Sequence, residues 1–91
     1  MIINVKADQI TVPNSVGAGS SFSEAAVVRL ANPSDTDRVI TVSSVNTVAG
    51  KIGTFTILAN TTEIIEKRPT DTVHVNAGTD VLGVKVGYNI S

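Results

Sequence analysis

The residues that could carry acid–base or nucleophilic chemistry are few and isolated. His74 is the only histidine among 91 residues, and the chain has no cysteine. Proton transfer by a histidine needs a positioned partner as well as the imidazole. The pattern around His74 places it on the opposite face of a strand from Val73 and Val75, which predicts a solvent-exposed side chain. His74 is therefore not expected to act as a general base.

The hydroxyl and carboxylate residues do not form a catalytic set either. The four serines between residues 15 and 23 lack the Gly-x-Ser-x-Gly sequence of a hydrolase nucleophile. Glu63 and Glu66 fall on opposite faces of one expected strand, so they do not converge as a glycosidase pair would. We therefore expect no enzymatic activity, no catalytic site and no cofactor.

An acidic turn is the one candidate for metal binding. Ser34, Asp35 and Asp37 place oxygen ligands close together in the chain, and calcium prefers oxygen ligands. The complete loop pattern, which ends in a bidentate glutamate, is missing. We therefore expect a solvated acidic turn and no metal site.

The elements that would position any site are β-strands. Val, Ile and Thr make up 34 of the 91 residues, whereas Leu occurs three times. β-Branched side chains suit strands and lose rotamer freedom in helices. The composition therefore predicts an all-β protein.

The segment from Gly53 to Val75 shows strand alternation most clearly. Thr54 and Thr56 alternate with Phe55 and Ile57, which is typical of a strand with one buried face. Asn favours a tight turn, and Pro ends a strand because it has no N–H to donate. Turn residues thus divide the segment into the strands Gly53–Leu58, Thr62–Lys67 and Thr72–Val75, with a turn that Asp71 closes through its side chain.

Similar patterns occur along the rest of the chain. We predict one domain over residues 1–91, a small antiparallel β-sandwich or partly open barrel of about seven to eight short strands. The other expected strands are Met1–Val12, with a bulge or turn near Asp8, then Ala25–Asn32, Arg38–Val45 and Val81–Ile90. The expected core residues are Val28, Leu30, Ile40, Val42, Phe55, Ile57, Val73, Val75, Val84 and Val86.

Four residues are candidate contacts with another subunit. The Gly/Ser-rich loop over residues 13–24 contains Val16 and Phe22. Phe22 either anchors this loop in the core or, like Val16, contacts a neighbouring subunit. Glu66 and Arg68 either lie on a solvated turn or pair with an adjoining subunit and set its register.

Composition and charge restrict the partners. The chain is 42% hydrophobic and 16% charged, whereas about 25% charged residues is usual. A small core cannot hold that much aliphatic surface, so we expect a homo-oligomer. The net charge of −1 excludes the basic face that nucleic acids require. No apolar run approaches the ~20 residues of a membrane helix, and the first ten residues lack the features of a signal peptide.

Three segments resemble small virion structural proteins of tailed bacteriophages, especially phages of marine bacteria and cyanobacteria. They are ITVPNSVGAGSSFSEAAVVRLANPSDT, GTFTILANTTEIIEKRPTDTV and VLGVKVGY. The resemblance implies a capsid decoration, or cement, protein that is made in the host cytoplasm and binds the major capsid protein in the virion. It transfers no residue-level function. A tail, fibre or connector component and a receptor- or glycan-binding adhesion module remain as alternatives.

Overall fold

A computed structural model describes residues 3–44 and 50–87, and this part of the chain is all-β, as the composition predicts. The ends of three predicted strands, at residues 1–2, 45 and 88–90, lie outside the described residues. A short 3-10 helix covers Val16–Ala18. The eight strands are β1 (Asn4–Val5), β2 (Ile10–Thr11), β3 (Val27–Asn32), β4 (Arg38–Ser43), β5 (Lys51–Ile57), β6 (Thr61–Glu66), β7 (Thr72–Val75) and β8 (Leu82–Gly87).

The strands form two antiparallel sheets, which confirms the predicted small β-sandwich. In one sheet the order is β1-β8-β3-β6, with β2 also paired to β8, and in the other it is β5-β4-β7. Val5 pairs with Val86 and Ile10 pairs with Gly83. The N-terminal segment therefore has two more residues than β8 between these pairs, which confirms the irregularity predicted near Asp8.

The strand pairing follows the order of a jelly roll, in which an antiparallel ribbon folds so that the first strand pairs with the last. The pairs β1·β8, β3·β6 and β4·β5 are present. The segment after β2 lies beside β7, because Val75 N–H donates to the Pro13 carbonyl (2.8 Å) and Ser20 and Val73 exchange backbone hydrogen bonds of 3.0 and 2.8 Å. In an eight-stranded jelly roll the second strand pairs with the seventh. Here the segment that contains Pro13 and Ser20 occupies that position beside β7.

The core lies between the two sheets, and burial of its aliphatic side chains is the main term that stabilises the fold. Val42, Phe55 and Ile65 pack against it and stay partly exposed. The fully packed members are Val12, Phe22, Ala25, Val28, Leu30, Ile40, Ile57, Val73, Val75 and Val81. Six of the ten residues predicted for the core are among them, and Val42 and Phe55 pack at its margin.

Strand β8 faces the opposite way to the prediction. Gly83 pairs with Leu30, and a Cβ on Gly83 would lie 2.6 Å from Phe22 Cε1, so Gly83 faces the core. Val84 and Val86 are 5% and 4% exposed, but they lie on the other face and outside the core cluster. Their predicted burial is confirmed, but on the face away from Gly83, whose missing side chain admits the Phe22 ring to the core.

Asn32 joins two of the connections between the sheets. Its side chain is buried, with Nδ2 donating to the carbonyls of Thr36 (2.8 Å) and Ile57 (3.3 Å). Its Oδ1 accepts from the backbone N–H (3.2 Å) and the hydroxyl (2.7 Å) of Ser34. The β3–β4 connection is thereby fastened to the end of β5.

Candidate interaction surface

The four predicted contact residues occupy separate positions. Val16 begins the short 3-10 helix. Phe22 is 4% exposed within the core, which favours its role as the anchor of the loop and leaves little of it for another subunit. Glu66 ends β6 and Arg68 follows it, and both are exposed. Glu66 and Arg68 are thus both at the surface, two residues apart in the chain.

Arg68 makes its contacts within its own chain. The buried Asp71 carboxylate accepts from the Arg68 backbone N–H at 3.1 Å and from Arg68 Nε at 3.4 Å. This closes the turn through the Asp71 side chain, as predicted. The Arg68 side chain remains 72% exposed, so its guanidinium can still reach a partner. Pairing of Glu66 and Arg68 with an adjoining subunit stays a prediction.

Lys67 fastens the same turn to the loop before β3. Its Nζ donates to the carbonyls of Ala25 (2.7 Å), Arg68 (3.3 Å) and Pro69 (3.3 Å). Partial burial lowers the pKa of Lys67, although the nearby Asp71 acts in the opposite direction. The Lys67 ammonium group thus donates to three backbone carbonyls, and its role is to hold the turn in place.

A cleft lies on the open side of the sandwich, between the edges of β5 and β6. Its volume of about 250 Å³ is below the roughly 300 Å³ at which ordinary ligand pockets begin. Among the described residues that line it, Phe55 is the one aromatic side chain. The cleft is lined by Val42, Ile52, Gly53, Thr54, Phe55, Glu66, Lys67 and Asp71. Its size and its apolar floor suit side chains of another protein better than a small molecule.

Large aliphatic side chains are exposed in two main places. Ile52 and Leu58 are 54% and 56% exposed at the start and just beyond the end of β5. Val5 and Ile64 are 70% and 36% exposed, and they lie on the outer face of the larger sheet. Val5 pairs with the outward-facing Val86 there. These side chains are dispersed over both sheets, and contact with another protein would remove them from water.

His74 is less accessible than its strand pattern predicts. It pairs with Thr41 on the outer face of the smaller sheet and is half-buried. Its Nδ1 is buried without a hydrogen-bond partner, and burial lowers the pKa of the imidazole. The expectation of a freely exposed histidine is corrected, because the side chain is half-buried on this face of the sheet.

The acidic turn is used to hold the fold. Asp37 Oδ1 accepts from the Ala59 backbone N–H at 2.8 Å. Within residues 3–44 and 50–87, no three His, Cys, Asp or Glu side chains are grouped so that they could hold a metal ion. The same part of the chain contains no helix long and apolar enough to cross a membrane.

Comparison of the chain with protein-family models, with curated protein sequences and with solved structures found no match in any of the three.

Proposed function

We propose that the chain is a non-enzymatic structural protein of a phage particle, and specifically a capsid decoration protein that stabilises the head. The observation that carries the proposal is the aliphatic surface. Ile52, Leu58 and Val5 are each more than half exposed on a 91-residue chain. A partner that covers this surface would gain apolar burial at about 25 cal/mol per Å².

The fold is compatible with this role. Jelly rolls occur in viral capsid proteins, in lectins and in enzymes, so the strand order supports the proposal only by analogy. A decoration protein would bind the major capsid protein at many equivalent positions and bridge neighbouring copies. Many modest contacts then act together, because each bound copy restricts the subunits it joins.

Deletion of the gene from the phage that encodes it tests the proposal. Particles without the protein should assemble but release their DNA at a lower temperature, which a DNA-binding dye reports during heating. Addition of the purified chain to these particles should restore the release temperature. Equal release temperatures with and without the protein, and no copies of the chain on purified particles, would contradict a decoration role.

The position of the bound chain separates the head from the tail. Electron microscopy of particles that carry a tagged chain should show density over the head shell. Density confined to the tail, a fibre or the connector would replace the decoration role with one of the alternatives. A glycan-binding adhesion module predicts instead specific binding to cell-surface sugars in a glycan screen.

A further inference from the structure

The four edges of the two sheets differ in how they are protected. Strands β1 and β2 have two residues each, and the outer edge of β7 is covered at Pro13 and Ser20. Strand β6 carries Glu63 and Glu66 at its own edge. By contrast, β5 has seven residues and no charge after Lys51. Long uncharged edges pair with other strands unless they are blocked.

The register of β4 shows which backbone groups of β5 are free. Asn76 N–H donates to the Val39 carbonyl, so Val39 directs its backbone groups toward β7. Alternation then directs those of Ile40 toward β5, where its partner is Phe55. The N–H and C=O groups of Thr54 and Thr56 therefore point away from β4. No described residue pairs with them.

These free groups are arranged symmetrically about Phe55. In an antiparallel pair centred there, Thr54 of one copy lies opposite Thr56 of the other. Each such pair can exchange two backbone hydrogen bonds, which uses all the free groups of both residues. A register centred on Thr54 would instead place Thr56 of one copy opposite Ile52 of the other. Ile52 is the extra residue of the bulge opposite Val42 and Ser43, which disturbs regular pairing there. A centre at Phe55 avoids it.

We propose that β5 binds β5 of a second copy of this chain, antiparallel about a two-fold axis at Phe55. The two three-stranded sheets then join into one sheet of six strands. The two Phe55 side chains meet across the axis, where aromatic cross-strand pairs are favourable. Farther from the axis, at each end of the paired strands, the exposed Ile52 of one copy lies near the exposed Leu58 of the other. A two-fold contact requires such a self-complementary surface.

This inference concerns two copies of the chain and does not rest on a role in a virion. The contact is small in comparison with standard protein interfaces, so we expect a dimer that dissociates on dilution. Sedimentation of the purified chain from about 1 µM to about 1 mM should show conversion of monomer into dimer. Amide exchange should slow at Thr54 and Thr56 as the dimer forms.

Paired charges test the register. Thr54→Lys with Thr56→Lys puts like charges opposite each other and should raise the dissociation constant about tenfold or more. Thr54→Glu with Thr56→Lys instead places Glu opposite Lys in both pairs and should restore dimerisation. The control, Thr11→Lys with Thr79→Lys, adds the same charge at exposed positions in β2 and in the β7–β8 connection, away from β5, and should leave the dimer intact.

Thermal unfolding of each variant shows whether it is folded, since all four positions are exposed. A chain that stays monomeric over the whole range overturns the proposal. So does a dimer that the two lysines at positions 54 and 56 do not weaken. Failure of the Glu–Lys variant to restore the dimer overturns the register centred on Phe55. Particle binding is measured separately, so the two proposals can fail independently.

Discussion

The ring of Phe22 lies over Gly83, so close that a Cβ on Gly83 would come within 2.6 Å of Phe22 Cε1 and 3.1 Å of Leu30 Cδ2. Gly83 is thus the inward position of β8, and the aromatic ring from the loop over residues 13–24 fills the space that a side chain would take. The same contact anchors the loop and sets the face that β8 turns to the core.

Gly83→Ala should therefore lower the free energy of unfolding by about 1–3 kcal/mol, because the added methyl group overpacks the core. Gly53→Ala is the matched control, since a Cβ at Gly53 meets no atom within 4 Å. Urea denaturation measures both. If Phe22 is the obstacle, Phe22→Leu should reduce the effect of Gly83→Ala, and a double-mutant cycle measures this coupling. Equal effects of the two Gly→Ala changes would contradict the packing described here.

Asn32→Ala should destabilise the fold by about 2–3 kcal/mol. The change leaves the buried Ile57 carbonyl and the Thr36 carbonyl without the Nδ2 donor. Asn14→Ala is the control, because Asn14 is exposed and makes one side-chain hydrogen bond of 3.2 Å to the Gly78 carbonyl. We expect its effect to stay within about 0.5 kcal/mol. Similar urea midpoints for the two variants would mean that water replaces the Asn32 contacts.

Ser23→Gly should stabilise the protein by about 0.5–1 kcal/mol. Phe22, Ser23 and Glu24 have φ values of 54°, 58° and 56°, a left-handed conformation that glycine adopts without steric cost. Ser23 is exposed, so its side chain is not needed for packing. Ala26→Gly, at an exposed position without positive φ, should have the opposite sign because it only adds freedom to the unfolded chain. A lower melting temperature for Ser23→Gly would argue against backbone strain in this turn.

His74 should make stability depend on pH. Burial lowers its pKa below the ordinary value of 6.5, so the unfolded chain binds the proton more readily than the folded chain. Its contribution is fully present above the unfolded pKa and is lost as the pH falls from there toward the folded pKa. The free energy of unfolding should therefore decrease on acidification below pH 6.5. His74→Gln should remove this slope, and an unchanged slope would assign it to other groups.

Local pattern was sufficient to locate most strands. The predicted Gly53–Leu58, Thr62–Lys67 and Thr72–Val75 correspond to Lys51–Ile57, Thr61–Glu66 and Thr72–Val75 in the structure. Alternation of side chains and turn-forming residues depend only on near neighbours in the chain, so the sequence contains this information. The composition likewise determined the all-β class.

Strand pairing was decided by the tertiary structure. A tight turn with Asn60 at φ 58° joins β5 and β6, yet these strands do not pair; β5 pairs with β4, and β6 pairs with β3. Each sheet must bury its inner face against the other, and that requirement places β5 and β6 in different sheets. The face of β8 was decided in the same way by the ring of Phe22.

The candidate interaction surface also depended partly on the sequence and partly on the tertiary structure. The sequence by itself drew attention to Phe22, Glu66 and Arg68, but alternation cannot distinguish an edge strand from a central one. Strand β5 is an edge only because the sheet order ends there, and Thr54 and Thr56 have free backbone groups only because β4 pairs with its other side. Pairing between strands distant in sequence thus determined which surface is open, since it depends on how the whole chain buries its apolar side chains.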